Sequence, residues 1–264
     1  MIKLLALDID DTIAQPDGTI RRSTIAAIQQ AHEHGITIAL VSARPPQGIH
    51  AVAQLIQAPV YRIAYLGAVI QLPDQTEILR LSIDLPLASD IARFADAHRI
   101  ALTLSIADRE YQTQNVARPS MTPRVVIASA AQALEPGIAP VIIAVTEDSP
   151  SRLVYDYCMQ QYPDRVHIVR HVNSAGSNLS ALIVHPEAEK GKSLLKLCHA
   201  LSIPAGDVMA VGDSESDLTM FRVSGFSAAV QNASSTVAKA ATAVAPFPYG
   251  EGVQWVIENM VLPK

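Results

Sequence analysis

The chain has 264 residues, of which 49% are hydrophobic and 17% charged, so it can bury one large core or two smaller ones. Its net charge of -5, with no dense patch of Lys and Arg, argues against a nucleic-acid partner. The first apolar run is short and ends in carboxylates, and no stretch reaches the roughly 20 apolar residues of a membrane helix. We therefore expect a soluble cytoplasmic protein without a membrane partner.

The first third of the chain alternates buried strands with amphipathic helices, a pattern typical of a doubly wound, Rossmann-like α/β fold with a parallel sheet. Ser23 is a candidate helix cap and Gly35 a candidate terminator. The predicted elements are a strand at 3–7, a helix at 24–34, a strand at 36–41, a helix at 47–57 and a strand at 61–66.

The pattern changes after residue 67, where a hairpin of strands 68–72 and 77–83 is predicted. A separate α+β unit then follows, with its own sheet. Its predicted elements are a helix at 87–98, strands at 101–106 and 111–114, a Pro-punctuated loop, a strand at 141–145, a helix at 151–161, and strands at 166–169 and 179–184. A helical segment from Pro186 and a buried strand at 207–211 resume the first pattern. We therefore predict a core domain at 1–83 and 186–264, interrupted by an inserted domain at 84–185.

Three carboxylates, those of Asp8, Asp10 and Asp11, lie within four residues at the carboxyl end of the first strand. Such charges repel one another unless a cation compensates them. This arrangement indicates an oxygen-ligand site for a hard metal such as Mg²⁺. A solvated acidic turn is the alternative for an isolated segment of this kind.

Other reactive side chains share this placement after a strand or at the start of a helix. They are Ser42, Lys190, Asp213 and Asp217. Strand ends of one sense meet at one edge of a parallel sheet, so these groups can gather there. Carboxylates, a hydroxyl and an ammonium suit phosphoryl transfer. Taken singly, Ser42 could instead cap a helix, Lys190 could be a solvated lysine, and Arg44 could touch substrate or pair with a surface acid.

Histidine and cysteine do not indicate a zinc site. The eight His residues include no helical pair with an acidic partner, and Cys158 and Cys198 lie far apart. We expect ordinary histidines and buried, reduced thiols.

The chain resembles the haloacid-dehalogenase-like phosphatases, specifically the Cof-type branch with an α/β cap inserted between the second and third motifs. Four motifs in order carry the resemblance, and it covers essentially the whole chain. They are Asp8-Ile9-Asp10-Asp11-Thr12, Ser42-Ala43-Arg44-Pro45, Lys190-Gly191 with Ser193-Leu194, and Gly212-Asp213-Ser214-Glu215-Ser216-Asp217. The tail from Val230 through Asn232 to Val253 is also similar to that branch.

The resemblance implies a role for each motif residue. Asp8 would attack phosphorus and form an aspartyl phosphate, and Asp10 would act as the general acid and base. Mg²⁺ would be held by the Asp8 side chain, the Asp10 carbonyl and Asp213, with Asp217 supporting these ligands or binding through water. The phosphate would contact Ser42, the backbone of Ile9 and Ala43, Lys190 and Ser216. Candidate substrate contacts are Arg44, Arg109, Tyr111, Arg118, Asn232 and the loop 173–178.

Three residues depart from the usual pattern of the branch. Asp11 replaces Gly, and we expect the turn to survive because Asp tolerates unusual backbone angles. Ser216 and Leu66 each replace Asn. These two changes leave room for an altered substrate, a slower enzyme or partial loss of activity.

The resemblance implies a Mg²⁺-dependent phosphatase for a small phosphorylated metabolite, with a sugar phosphate favoured over phosphoglycolate or a phosphorylated cofactor. A sugar phosphomutase is the second hypothesis. The third is a catalytically weakened metabolite-binding protein on the same scaffold. The sequence has no heptad seam or long apolar stripe from which to choose between a monomer and a homodimer.

Overall fold

The chain forms two compact units in the computed structural model. The first comprises Met1–Leu79 and Glu189–Lys264, and the second comprises Arg80–Ala188. The residues that the structure describes are 1–113, 122–145, 148–172 and 179–262. No helix in these ranges is both long enough and apolar enough to cross a membrane.

Strands and helices over the described residues are numbered in chain order. The strands are β1 (Leu4–Leu7), β2 (Thr37–Val41), β3 (Val60–Ala64), β4 (Val69–Gln71), β5 (Glu77–Arg80), β6 (Thr103–Ile106), β7 (Arg109–Gln112), β8 (Arg124–Val126), β9 (Ile142–Val145), β10 (His167–Val172), β11 (Leu179–Val184), β12 (Val208–Gly212), β13 (Phe226–Ala229) and β14 (Ala243–Val244). The α-helices are α1 (Arg22–Glu33), α2 (Pro46–Ile56), α3 (Leu85–Ala97), α4 (Asp148–Gln161), α5 (Lys190–Ala200), α6 (Leu218–Val223), α7 (Ser235–Ala240) and α8 (Tyr249–Val256). Short 3-10 turns lie at Tyr65–Gly67, Ala131–Leu134, Ala205–Asp207 and Glu215–Asp217, and a π-helical segment at Ile257–Val261.

The first unit is built on a sheet in the order β14-β13-β12-β1-β2-β3-β4-β5. The pairs from β14 to β3 are parallel, and β4 then pairs antiparallel with β3. From β1 the chain moves to β2 and β3 on one side, and it resumes at β12 on the other. This reversal is the switch point of a doubly wound sheet, where ligands bind beyond the carboxyl ends of the strands.

The core of this unit is apolar on both faces of the sheet. All four residues of β1 are buried, as expected of a strand that helices cover on both sides. On one face, Leu4 and Ala6 share a cluster with Leu194 and Leu197 of α5. The predicted doubly wound core is confirmed.

The second unit is an α+β structure around a sheet in the order β10-β11-β9-β6-β7-β8. Over the described residues, its strand pairs are antiparallel except for β7 with β8. Leu104, Ile143 and Ile183 of the sheet pack in one apolar cluster with Ala92 of α3 and Val154 of α4. The α+β insertion is confirmed.

Both cysteines are buried free thiols, as predicted. Burial raises the pKa of Cys158 to about 12, with a smaller contribution from Asp90, so this thiol is unreactive near neutral pH.

Some predicted boundaries were wrong. Helix α1 is preceded by Arg21, and no side chain caps it, so Ser23 is not its cap. Strand β7 begins two residues earlier than predicted, because the turn before it contains Ala107 at φ 54, a left-handed angle with no glycine to signal it. Strand β8 lies in the segment predicted as a Pro-punctuated loop, and the elements after β12 were not predicted.

Candidate active site

The site begins where β1 and β12 lie side by side. These strands pair Leu7 with Val211, and the Asp8 N–H donates to the Val211 carbonyl at 3.0 Å. Asp8 therefore follows β1, and Asp213 follows β12, at the same sheet edge. Carboxylate oxygens of Asp8, Asp213 and Asp217 all lie within 4.8 Å of one another.

Lys190, the first residue of α5, lies between two of these carboxylates. Its Nζ is 2.7 Å from Asp8 Oδ1 and 2.6 Å from Asp217 Oδ1. Only 4% of the residue is exposed, so the solvated alternative is wrong. Burial opposes the charge on Lys190, but the two carboxylates outweigh it and raise its pKa.

A glycine allows α5 to approach this edge. The Gly191 N–H donates to Thr219 Oγ1 at 3.0 Å, and a Cβ at position 191 would lie 2.2 Å from the Thr219 carbonyl oxygen. Any larger residue would push the start of α5, and with it Lys190, away from Thr219.

Asp217 is fully buried, and both of its oxygens are in use. Oδ1 accepts from Lys190, while Oδ2 accepts from the N–H groups of Asp213 (3.1 Å) and Ser214 (3.0 Å) and from Ser214 Oγ (3.0 Å). A Cβ at Gly212 would lie 2.5 Å from Asp217 Cγ. Asp217 thus links the end of β12 to Lys190.

Burial makes the negative charge of this cluster costly. It raises the pKa of Asp8 well above its usual value; Lys190 opposes this, and Asp217 and Asp213 add to it. Burial and Asp217 raise the pKa of Asp213 to about 7, although Thr12 donates to its Oδ1 at 2.8 Å. Three carboxylates with oxygen ligands face one ammonium, so the group fits a hard divalent cation.

Asp10 lies outside this carboxylate cluster and pairs with Arg44. Arg44 Nη2 is 2.6 Å from Asp10 Oδ1, and its Nε is 3.0 Å from Oδ2. The Asp10 side chain is 57% exposed, so this ion pair is largely solvated. Of the two alternatives for Arg44, the structure shows pairing with an acid, and that acid belongs to the first motif.

Ser42 follows β2 and is buried, with its Oγ accepting the Arg44 N–H at 3.1 Å. Helix α2 begins at Pro46 after Pro45, so Ser42 does not cap it. The Ser42 carbonyl accepts the Leu66 N–H at 3.1 Å, which ties the segment containing Ala43 to the turn after β3.

Two of the departures from the Cof-type pattern occupy left-handed backbone positions. Asp11 has φ 59, so the turn survives with Asp in place of Gly, as expected. Leu66 has φ 60 and ψ 19, angles that Asn tolerates better than Leu. The next residue, Gly67, has φ +105, and its carbonyl accepts the Ser193 hydroxyl at 2.6 Å.

The remaining predicted residues lie at several places. Ser216 Oγ is 2.8 Å from Ser214 Oγ, and Ile9 is buried beneath the acidic turn. Asn232 joins that turn to the tail: Nδ2 donates to the Asp11 carbonyl and Oδ1 accepts the Tyr249 N–H, both at 2.8 Å.

In the second unit, the predicted substrate contacts Arg109 and Tyr111 lie on β7, with Tyr111 packed against the core of that unit. Arg118 and the loop 173–178 lie outside the described residues.

Sequence reasoning gave no role to Thr12, Ser193 or Ser214. Thr12 is fully buried and donates to Asp213 across 201 positions of the chain. The position of Thr12 at the end of the acidic motif was the feature of the sequence that could have indicated this contact. The contacts of Ser193 and Ser214 depend on local turns that spacing does not reveal.

The chain is similar to known proteins over nearly its full length. Residues 5–257 match the haloacid dehalogenase-like hydrolase family. A phosphoglycolate phosphatase from Methanothermobacter thermautotrophicus is 26% identical over 260 residues, covering 98% of this chain and 99% of that protein. A haloacid dehalogenase-like hydrolase from B. subtilis superimposes with a TM-score of 0.86 at 20% identity, over 98% of this chain and 100% of that one. A subclass IIB sugar phosphatase superimposes with a TM-score of 0.79 at 18% identity, over 98% and 100%. The chain belongs to the haloacid dehalogenase-like hydrolase family, as its four motifs predicted.

Proposed function

We propose that this enzyme is a Mg²⁺-dependent phosphatase that hydrolyses a small phosphorylated metabolite through an aspartyl phosphate on Asp8. Family membership and a full-length relative named as a phosphatase support phosphatase activity. The observation that carries the proposal is the buried Asp8 carboxylate, with Oδ1 bound to Lys190 and other carboxylates beside it. Among the described residues, Asp8 Oδ2 accepts no hydrogen bond, so it is available for attack.

In the first step, Asp8 Oδ2 forms a bond to phosphorus while the ester P–O bond breaks. The leaving oxygen takes the electron pair of that bond and a proton from Asp10. In the second step, Asp10 removes a proton from water, whose oxygen attacks the same phosphorus. The bond from Asp8 to phosphorus then breaks, which regenerates the carboxylate and releases phosphate.

Asp8, Asp213 and the Asp10 carbonyl would hold the Mg²⁺ ion. Asp217 would position these ligands, because both of its oxygens already have partners. When bound, the ion neutralises charge on the phosphoryl group. Lys190 would add a second positive charge, and Ser42, Ser216 and the backbone of Ile9 and Ala43 would donate to phosphoryl oxygens.

The ion pair between Asp10 and Arg44 must open before Asp10 can act as the general acid. A carboxylate that accepts bonds from a guanidinium has no proton to give. Asp10 would therefore leave Arg44 when it takes up its acid role. An exposed pair of this kind is weak, so substrate binding can separate it.

The activity test compares the wild-type protein with Asp8→Asn, using an aryl phosphate and Mg²⁺. Asn is nearly isosteric but is not a nucleophile, so phosphate release should fall by about 10⁴-fold or more. The exposed Asp164→Asn in the second unit is the matched control and should retain full activity. Equal release by the wild-type protein and Asp8→Asn would leave only the non-catalytic metabolite-binding hypothesis.

For the substrate, we propose a sugar phosphate. The named activity of the methanogen relative makes phosphoglycolate the second candidate. A panel of phosphorylated metabolites, assayed for inorganic phosphate, separates the two. An isomerised sugar phosphate without free phosphate would instead identify a phosphomutase.

A further inference from the structure

A groove in the first unit is lined by two aromatic and two acidic side chains. Its lining residues are Phe247, Glu251, Gln254, Trp255 and Glu258, around a space of about 220 Å³. Glu251, Trp255 and Glu258 are spaced by four and three positions along α8 and the π-helical segment, which places them on one helix face. None of these residues has a part in the site at Asp8.

Both aromatic side chains of the groove are at least partly exposed to solvent. Phe247 is 47% exposed, and Trp255, the single tryptophan of the chain, is partly exposed. Over the described residues, neither ring stacks on another aromatic ring or lies under a cationic group. The face of an aromatic ring carries negative potential and attracts cations, most strongly in tryptophan.

The carboxylates give the groove a negative charge. Glu251 pairs with Arg21, so a cationic group already binds one of them. Glu258 accepts a hydrogen bond from Gln254 Nε2 at 2.8 Å and, within the described part of the chain, has no cationic partner. A ligand that complements this lining needs a positive charge on an apolar body.

We propose that this groove binds a small organic ammonium ion, with the cation against the Trp255 ring and beside Glu258. The available volume lies below the roughly 300 Å³ at which pockets for drug-sized molecules begin, which favours a compact ligand. Choline is a suitable probe, since its charged trimethylammonium group is also apolar at its surface.

Trp255 makes binding directly measurable, because it alone supplies the tryptophan fluorescence of the chain. We would titrate the full-length protein with choline and with 3,3-dimethyl-1-butanol, its uncharged carbon isostere, at constant ionic strength. We expect a saturable change with choline and at least about tenfold weaker binding of the isostere. Equal responses to the two compounds, or no saturable response to choline, would overturn the proposal.

Variants test the assignment to these residues. Glu258→Gln should weaken choline binding about fivefold and leave the response to the isostere unchanged. Glu33→Gln, an exposed glutamate of α1, is the matched control and should bind choline normally. Trp255→Leu should abolish binding measured by calorimetry, with circular dichroism confirming that the variant folds. If Glu258→Gln behaves like Glu33→Gln, the site is wrongly assigned.

Discussion

At the residue scale, Asp217 connects Lys190 to the turn that carries Asp213, and it is fully buried. Replacing it with Asn removes one of the two charges that balance Lys190. Breaking a buried ion pair from one side typically costs about 3 kcal/mol. We therefore expect Asp217→Asn to lower the free energy of unfolding by about that amount in urea. An unchanged urea midpoint would show that Asp217 does not support Lys190.

Asp10 can be tested through the leaving group. If it protonates the departing oxygen, Asp10→Asn should slow hydrolysis of alkyl phosphates by about 10² to 10⁴-fold. Aryl phosphates with acidic leaving groups need little protonation and should be much less affected. The two substrate classes serve as controls for each other, with steady-state kcat as the measurement. An equal loss on both would assign Asp10 a different role.

The sequence predicted that Asp8, Lys190 and Asp213 lie together, but not how they are bonded, and the Asp10 side chain lies outside their cluster. The proximity of Asp8 and Asp213 could be predicted, because each follows a buried strand and parallel strands end at the same edge of the sheet. Their connection through Asp217, and the pairing of Asp10 with Arg44, depend on side-chain rotamers and on turns of the 3-10 type. Periodicity in the sequence contains no information on either.

At the element scale, Gly212 ends β12 directly against Asp217. A methyl group at position 212 would lie 2.5 Å from Asp217 Cγ, whereas one at Gly206 would meet nothing within 4 Å. Gly212→Ala should therefore destabilise the protein by about 1–3 kcal/mol and weaken metal binding. Gly206→Ala should leave both unchanged. Urea unfolding and Mg²⁺ titration measure the two effects, and identical behaviour of the two variants would contradict this prediction.

Helices α3 and α4 of the second unit are joined by Asp90, which accepts from the hydroxyls of Tyr157 and Tyr162. The bond to Asp90 is the main cause that raises the pKa of Tyr157 to about 12. An unfolded tyrosine titrates near 10, so this bond stabilises the fold fully from neutral pH up to pH 10 and is lost as the pH rises through 12.

We expect Tyr157→Phe to lower the unfolding free energy by about 1.5 kcal/mol at pH 8. The difference from the wild-type protein should shrink between pH 10 and 12. Tyr155→Phe is the matched control, because the Tyr155 hydroxyl makes no hydrogen bond within the described residues. Urea titrations across this pH range give the measurement, and a constant difference would contradict the assignment.

At the scale of the whole molecule, the carboxylate cluster couples metal binding to stability. Mg²⁺ would relieve repulsion that exists only when Asp8, Asp213 and Asp217 are gathered by folding. A concentration of 100 times the dissociation constant should add about 2.7 kcal/mol to stability. Thermal unfolding with Mg²⁺ and with a chelator checks this, and Asp213→Asn should show a smaller increase. Equal melting temperatures with and without Mg²⁺ would show that the cluster binds no such ion.

The architecture could be predicted where the hydrophobic period of a segment and its length indicated the same kind of element. Continuous apolar runs such as 3–7 and 207–211 indicated buried parallel strands, and the change of pattern after residue 67 indicated the insertion. The two-residue strand β14 and the six-residue helix α7 are too short to produce a period. Tertiary packing decides such elements.

The hydrogen bond from Thr12 to Asp213 has a consequence for synthesis on the ribosome. Its two ends are separated by 201 positions of the chain, and β1 gains β12 as its neighbour only after the whole insertion has been translated. The inserted unit, whose sheet pairs are all internal, is available to fold while the surrounding unit is still missing its second half. We therefore expect nascent chains arrested when residue 188 has emerged from the ribosomal exit tunnel, but β12 has not, to contain a protease-resistant insertion, with the catalytic half-site still exposed to digestion.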